Sequence, residues 1–297
     1  MKTILLTGKT GQVGWELQQS LAQVGNVIAP ARDTMNLANA DSIVATIRDI
    51  KPDVIVNAAA YTDVDKAETE ADVAMAINGL APGIMAEEAR RIGAMFIHFS
   101  TDFVFDGAKT TPYEENDPPN PLNVYGHTKL AGESAIQACG GNAVIFRTAW
   151  VYGLRGRNFL RAILQKAAEH QDIRVVEDQF GAPTWSRMIA QTTAQIVAKP
   201  SDANGIAPGI YHLTAAGSTS RFQFAQCILD EAQRRERYAN LEPAKIIPIT
   251  SPQWSSTVQR PRNSVLSVRK LETALGLTLP HWKTLLSQCL TSQDVLF

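Results

Sequence analysis

Three observations predict an α/β fold, a doubly wound parallel sheet with a smaller carboxyl-terminal lobe. Short apolar runs alternate with helix-period segments through about residue 150. The first run stops at a glycine-rich turn, Gly8-Lys-Thr-Gly11-Gln-Val-Gly14, which opens directly into a helical pattern. The 297 residues exceed the usual span of one core, so a second lobe is expected.

Composition excludes several function classes. Apolar residues make up 45% and charged residues 19%, an ordinary globular balance. A formal net charge of -1 leaves no basic excess to hold a nucleic acid or an anionic membrane surface. The odd and scattered Cys139, Cys227 and Cys289 show no disulfide or metal spacing, which fits a reducing cytoplasm, and each reads as a small buried apolar residue. The five histidines lack paired ligand spacing. The opening run is too short for a signal peptide, and no run approaches the ~20 apolar residues of a membrane span.

Each element follows in order. Thr3 to Thr7 reads as a strand buried on both faces. After it, Gly8, Gly11 and Gly14 sit between strand and helix, where missing side chains let backbone amides approach a diphosphate. This is the dinucleotide-binding arrangement of a Rossmann-type domain, spaced G-x-x-G-x-x-G. A second strand is expected near Asn26 to Ala29, and the group that reads the adenosine ribose follows at its end. Arg32 suits a 2'-phosphate and Asp33 a 2'-hydroxyl, so NADPH and NADH both stay open. Asp41 to Ile50 reads as a helix and Asp53 to Asn57 as the third strand, followed by small residues that permit close approach by a ligand. Glu70 to Ile92 reads as one long helix, kinked at Pro82. The fourth strand, Met95 to Ser100, ends in Ser100-Thr101-Asp102, and His98 within it reads as a core residue with a satisfied hydrogen bond. A loop from Asp106 to Asn123 with four prolines is long enough to be functional or mobile. Ala143 to Arg147 is the fifth strand.

The chain is organised around Asn123-Val-Tyr-Gly-His-Thr-Lys-Leu-Ala-Gly-Glu133. Tyr125 and Lys129 stand one helical turn apart, on one face. A free phenol ionises near pH ~10, and a fixed ammonium beside it is expected to lower that value. A tuned tyrosine can then exchange a proton with a carbonyl or alcohol oxygen. The spacing alone also suits a solvated helix face.

Together, the glycine turn, Ser100-Thr101-Asp102 and Tyr125-x-x-x-Lys129 resemble the extended short-chain dehydrogenase/reductases. The likeness narrows to the dTDP-4-dehydrorhamnose reductase family through Asn57-Ala-Ala-Ala-Tyr-Thr-Asp-Val-Asp-Lys-Ala-Glu68, Val104-Phe-Asp-Gly107, Arg147-Thr-Ala-Trp-Val-Tyr-Gly153 and Asn158-Phe159. Asp178-Gln-Phe-Gly-Ala-Pro-Thr184 and Arg260-Pro-Arg-Asn-Ser-Val-Leu266 complete the set, and the resemblance spans nearly the whole chain.

This resemblance implies an NADPH- or NADH-dependent reduction of a dTDP-keto-deoxysugar, dTDP-4-dehydro-6-deoxy-L-mannose, at C4. It makes Tyr125 the proton donor, sets Lys129 on the nicotinamide ribose, where it lowers the Tyr125 pKa, and puts the Thr101 hydroxyl on the reacting oxygen. Asp102, Trp150, Asn158 and Gln179 become substrate-facing positions. Gly11, Gln12 and Val13 would line the diphosphate, Ala60, Tyr61 and Thr62 the cofactor's middle, and Asn36 and Leu37 its adenine side. Phe103 replaces a common tyrosine of the family. Some members bridge two subunits through a metal held by acids. Here Trp185-Ser-Arg187 presents an arginine at that position, so no metal is expected, and a monomer or weak homodimer is. Two other readings stay open: a nucleotide-sugar epimerase or dehydratase of the same superfamily, and a non-catalytic NADP-binding regulatory subunit.

Beyond residue 150, helices are expected over Asn158 to His170, Met188 to Lys199 and Ser220 to Arg237, and strands over Ile173 to Val176 and Gly209 to Leu213. Residues 1–150 form the expected dinucleotide-binding domain and 151–297 mainly the substrate lobe, with segments near 158–176 and 205–235 returning to the first. Arg234, Arg235 and Arg237 read as a solvated face. Arg260 is a candidate for the substrate diphosphate, or else a surface arginine fixed between prolines.

Overall fold

Continuous burial along the central strands, with side chains directed in turn to two apolar clusters, shows how the sheet is covered. In the computed structural model, residues 1–199, 205–238, 245–254, 256 and 258–292 are described. Six strands form the main sheet: β1 (Lys2–Thr7), β2 (Gly25–Ile28), β3 (Val54–Asn57), β4 (Met95–Thr101), β5 (Ala143–Thr148) and β6 (Gly209–His212). Their order is β6-β5-β4-β3-β1-β2, with every pair parallel. Ile4, Leu6, Val54, Val56, Ile97, Val144 and Phe146 belong to one buried cluster. Their alternates Leu5, Ile55, Phe96 and Ile145 belong to a second. A period of two therefore feeds both faces, the pattern of a sheet covered on both sides.

Helices supply the covers. Leu17 and Leu21 of α1 (Gln12–Ala22) join the first cluster, whereas Ile43 and Ile47 of α2 (Ala40–Ile50) and Met85 and Ala89 of α3 (Ala81–Ile92) join the second. The chain order reverses at β1, which lies between β2 and β3. A crevice opens there, outside the carboxyl ends of the strands.

The segment before α3 departs from the expected single kinked helix. Ala71–Met75 is α-helical, Ala76–Leu80 is a π-turn, and α3 then begins with Pro82 in its first turn. A proline has no N–H for the preceding turn, and the wider π-turn accommodates that loss upstream of it.

Helix α4 (Val124–Cys139) carries the Tyr125 segment, with α5 (Phe159–Ala168), α6 (Ser186–Ala198), α7 (Arg221–Gln233) and α8 (Trp282–Thr291) after it. Ile173–Val176 pairs with Ile246–Ile249 in a separate small sheet, while Gly209–His212 returns to the main sheet beside β5. The first apolar cluster runs on through Tyr152, Phe224 and Trp282, so lobe and sheet share buried surface.

Helix α7 stops at Gln233, earlier than expected, and a short 3-10 turn follows at Glu236–Tyr238. Ser220 and Gln223 form a reciprocal capping box at its start. Arg234 does face solvent beside Glu231. Arg235 corrects the solvated-face reading, because its guanidinium reaches the Ser287 carbonyl and hydroxyl of α8 at 3.0 and 2.9 Å. The side chain of Arg237 lies outside the described residues. The proline-rich loop is pinned down. Asp106 accepts from Ala108 N, the Tyr113 hydroxyl and Asn120 Nδ2, and Tyr113 stacks on Phe105 at 4.1 Å.

Candidate active site

The glycine turn is built as a backbone cradle. Gly8 has φ +76, and a Cβ there would lie 2.6 Å from the Ala58 carbonyl carbon. On Gly14 a Cβ would fall 2.0 Å from the Gly8 carbonyl oxygen. Both positions therefore exclude any side chain, and the turn lies flat against the start of the β3 loop. Gly11 caps α1 without a side-chain bond, and no acidic residue stands in the first turn of that helix. The N–H groups around Gln12, Val13 and Gly14 are then available to an anion at a helix amino end. The residues present fit a dinucleotide diphosphate on this ground.

The other positions expected to face a cofactor follow the ends of β2 and β3. Lys9 Nζ donates to the Ala29 carbonyl at 2.7 Å and ties the turn to the end of β2. Arg32 is exposed just beyond that strand. Asn36 Oδ1 accepts from Ala38 N at 3.1 Å, and Leu37 packs on the second cluster. After β3, the loop through Ala60, Tyr61 and Thr62 is held by Asn78, which sits inside the π-turn. Asn78 Oδ1 accepts from Tyr61 N at 2.9 Å, and Asn78 Nδ2 donates to the Tyr61 carbonyl at 3.0 Å and to Thr128 Oγ1 at 3.2 Å. The Tyr61 hydroxyl donates to Glu70, which pushes its pKa up to about 12. Sequence reasoning missed Asn78. A buried amide in a helix interrupted by proline was its only signal, and π-turns frequently mark functional sites.

Tyr125 and Lys129 share one face of α4, but they serve different neighbours. Asn123 caps the helix, its Oδ1 accepting from Gly126 N at 2.9 Å. Gly126 lets the helix approach β4's end, since a Cβ there would lie 2.3 Å from the Phe103 carbonyl oxygen. Phe103 meets the Tyr125 ring edge-on at 5.7 Å. The Thr101 hydroxyl stands beside the phenol and favours its ionised form, while its own hydrogen goes to Asp102 Oδ1. Lys129 Nζ turns inward and donates to the Phe99 carbonyl at 2.6 Å, with His98 Nε2 at 3.1 Å. The expected lowering of the Tyr125 pKa by Lys129 is corrected here. Burial dominates, the Asp102 charge adds to it, and the phenol is pushed up to about 12. Burial also lowers the Lys129 ammonium to about 8, against the opposing effect of Glu133. The phenol is thus fully protonated at neutral pH, the state a proton donor needs.

Of the positions expected to face a substrate, Asp102 is the most deeply buried. Its carboxyl is 2% exposed, accepts from the Thr101 hydroxyl at 3.0 Å, and leaves Oδ2 without a partner. Burial raises its pKa to about 6, opposed by the neighbouring Ser264 and Thr101 hydroxyls and by the Arg221 charge. Trp150 has φ +47, a conformation sparsely populated by non-glycine residues and found where surroundings over-determine the backbone. Its indole packs on Gly181, where a Cβ would fall 2.4 Å from Cε2, and the Arg221 guanidinium lies 3.7 Å from the ring centroid. Burial lowers the Arg221 pKa to about 10, so it stays cationic.

Sequence reasoning also missed Arg221. Its one signal was a cation at the first position of a helix, where the helix dipole disfavours positive charge. Arg260 is near enough to feel that charge, yet its Nη2 is bonded to Asp65 at 2.9 and 3.0 Å and its Nη1 to Ser256. Asn158 caps α5, and its Nδ2 points to Gln12 Oε1 and the Gly153 carbonyl, both at 2.9 Å. It therefore braces the glycine turn against the lobe, with its amide already committed. Gln179 Nε2 donates to Ser251 Oγ at 3.2 Å, and its carbonyl accepts from Arg221 N. Arg187, the residue read against a metal bridge, pairs with Glu16 at 2.9 Å. No group of three or more metal-ligating side chains occurs among the described residues.

A glycine cradle, a protonated phenol beside a threonine hydroxyl and an adjacent amine, at the carboxyl ends of interior strands, define a dinucleotide-dependent oxidoreductase of the short-chain dehydrogenase/reductase kind. The chain belongs to the RmlD substrate binding domain family, whose model matches residues 1–295. It is 45% identical over 289 residues to the dTDP-4-dehydrorhamnose reductase of Burkholderia thailandensis, covering 96% of this chain and 97% of that one. It is 42% identical over 284 residues to the enzyme of that name from Escherichia coli K12, covering 94% of each. A crystal structure of dTDP-4-dehydrorhamnose reductase from Bacillus anthracis in complex with NADP superposes with a TM-score of 0.88 at 29% identity, covering 97% of this chain and 98% of that one. No helix among the described residues is long and apolar enough to cross a membrane.

Proposed function

We propose that the protein reduces the C4 keto group of dTDP-4-dehydro-6-deoxy-L-mannose to give dTDP-L-rhamnose, using NADPH or NADH. The carrying observation is the Tyr125 phenol, protonated at neutral pH, beside Thr101 at the end of β4 and one turn from Lys129. When bound, the dihydronicotinamide supplies the hydride to the carbonyl carbon. As negative charge grows on the carbonyl oxygen, Tyr125 delivers its proton there and the Thr101 hydroxyl donates a hydrogen bond. Lys129, anchored to Phe99, offers its remaining N–H to the cofactor ribose. Asp102 Oδ2 is the free acceptor for a sugar hydroxyl, and Trp150 supplies a flat apolar wall.

Arg221 suits the substrate's diphosphate, since guanidinium forks match phosphate oxygens. Arg260 can join it by releasing Asp65, an exposed type of pair worth ~0–1 kcal/mol. The substrate is thus a dTDP-linked keto-deoxysugar, and the assembly is a monomer or weak homodimer, with Glu16 and Arg187 paired within one chain. The test is consumption of NADPH and of NADH with dTDP-4-dehydro-6-deoxy-L-mannose, with the product followed by mass. Stoichiometric reduction is the expected result. Protein that carries tightly held NAD and reduces nothing would instead support an epimerase or dehydratase. Binding of NADP with no reduction, and co-purification with another enzyme, would support a regulatory subunit.

A further inference from the structure

A line of buried polar groups crosses the sheet beneath Lys129. Thr7, Asn57 and His98 are cross-strand partners on β1, β3 and β4, in register. Asn57 and His98 are wholly buried, and Thr7 and Lys129 nearly so. Thr7 Oγ1 lies 2.6 Å from Asn57 Oδ1, Asn57 Nδ2 3.0 Å from His98 Nδ1, and His98 Nε2 3.1 Å from Lys129 Nζ. Apolar residues would pack such a sheet centre more cheaply, because buried polar groups are tolerated only when fully satisfied.

Donor counting decides the state of this line. An ammonium has only donors, so His98 Nε2 must accept from Lys129. A neutral imidazole has one acceptor nitrogen, and its hydrogen then sits on Nδ1. That N–H requires an acceptor, and the Asn57 amide provides one when its oxygen faces the ring and its NH2 faces Thr7. The two ends of an amide have nearly the same shape, so the network sets its orientation. A protonated ring is excluded, since burial and the Lys129 charge hold the His98 pKa well below its ordinary value.

We propose that His98 is the positioning residue for Lys129: its neutral ring, held as the Nδ1–H tautomer by Asn57 and Thr7, keeps the ammonium charged and aimed. The inference rests on the reading of Lys129 as the cofactor-holding amine. The titratable and charged groups around Lys129 are His98 from β4, Glu133 and Tyr125 from its own helix, and Arg147 from β5, which pairs with Glu133. Glu133 favours the charge from a distance while paired with Arg147, and the oriented lone pair of His98 and the Phe99 carbonyl are the groups that hydrogen-bond it. Loss of one hydrogen bond to a buried charged group lowers the Lys129 pKa by about one unit.

The test uses the full chain without cofactor or substrate, so it stands apart from whether the chain reduces a keto-sugar. In protein labelled with 15N-histidine, the His98 signal, assigned by its loss in His98→Gln, is expected to show a protonated Nδ1 and a bare Nε2 at neutral pH. A protonated Nε2, read in the unaltered protein, overturns the proposal. Titration of 13Cε-lysine signals gives the Lys129 pKa directly. His98→Leu is expected to move it about one unit to lower pH, while His98→Gln, whose side-chain oxygen can replace the Nε2 lone pair, restores it. An unchanged Lys129 pKa in folded His98→Leu overturns the proposal.

Discussion

Gly181→Ala tests how the indole of Trp150 is seated. The added methyl would fall 2.4, 2.6 and 2.8 Å from Cε2, Nε1 and Cζ2 of Trp150. Non-bonded carbons settle at roughly 3.5–4 Å, so the ring must retreat by about 1 Å. Gly181 is not among the positive-φ glycines, so alanine brings no backbone strain, and the whole effect falls on the indole. The Arg221 guanidinium, 3.7 Å from that ring, shifts with it. A misplacement of about 1 Å can cost up to ~100-fold in rate, so kcat/KM for the sugar nucleotide is expected to fall ~10- to 100-fold. The glycine turn lies elsewhere, so NADPH affinity holds. Overpacking costs ~1–3 kcal/mol of stability, which thermal unfolding measured in parallel separates from the kinetic effect. Initial rates at saturating NADPH and a fluorescence titration of NADPH give both numbers. An unchanged kcat/KM would refute the seating of Trp150 as a determinant of substrate placement.

Three further changes probe other parts of the site. Glu133→Gln leaves Arg147, whose side chain is 3% exposed, without its buried counter-charge, and urea unfolding is expected to show a loss of ~3–5 kcal/mol. Asp102 has a folded pKa of about 6, above the unfolded value of ~3.9, so its stabilising contribution is present in acid and is lost as pH rises from about 4 to 6. Asp102→Asn cannot titrate and should gain up to ~3 kcal/mol on the native protein across that window; parallel stability profiles would contradict this. Arg221→Ala is expected to raise KM for the dTDP-sugar ~10-fold or more through loss of a charge-assisted contact, with NADPH binding intact. Equal weakening of both ligands would place Arg221 outside the substrate subsite.

Local chemistry was legible in the sequence where it depends on neighbours in the chain. Gly8, Gly11 and Gly14 between an apolar run and a helical pattern, and Tyr125 with Lys129 one turn apart, needed no distant partner to be read, and the resemblance placed Thr101 beside the phenol. Contacts across the fold were not legible. His98 read as a satisfied core residue, which it is, but nothing local showed that its partners stand 41 and 31 residues away on Asn57 and Lys129. Spacing on a helix says nothing of burial, and burial with the Asp102 charge, not the Lys129 ammonium, sets the direction of the Tyr125 shift. Arg221 enters the site only because the antiparallel pairing of Thr219–Ser220 with Phe180–Gly181 carries the start of α7 to Trp150. Arg235, expected in solvent, is claimed by α8 from 52 residues away.

Single-turnover oxidation of NADPH by Tyr125→Phe, mixed with dTDP-4-dehydro-6-deoxy-L-mannose, tests the central claim most directly. Removing only the hydroxyl should leave NADPH binding in place and slow the reduction by ~100- to 10,000-fold, the usual share of a positioned proton donor. Reduction at a rate near that of the unaltered protein would show that the proton reaches the C4 oxygen by another route.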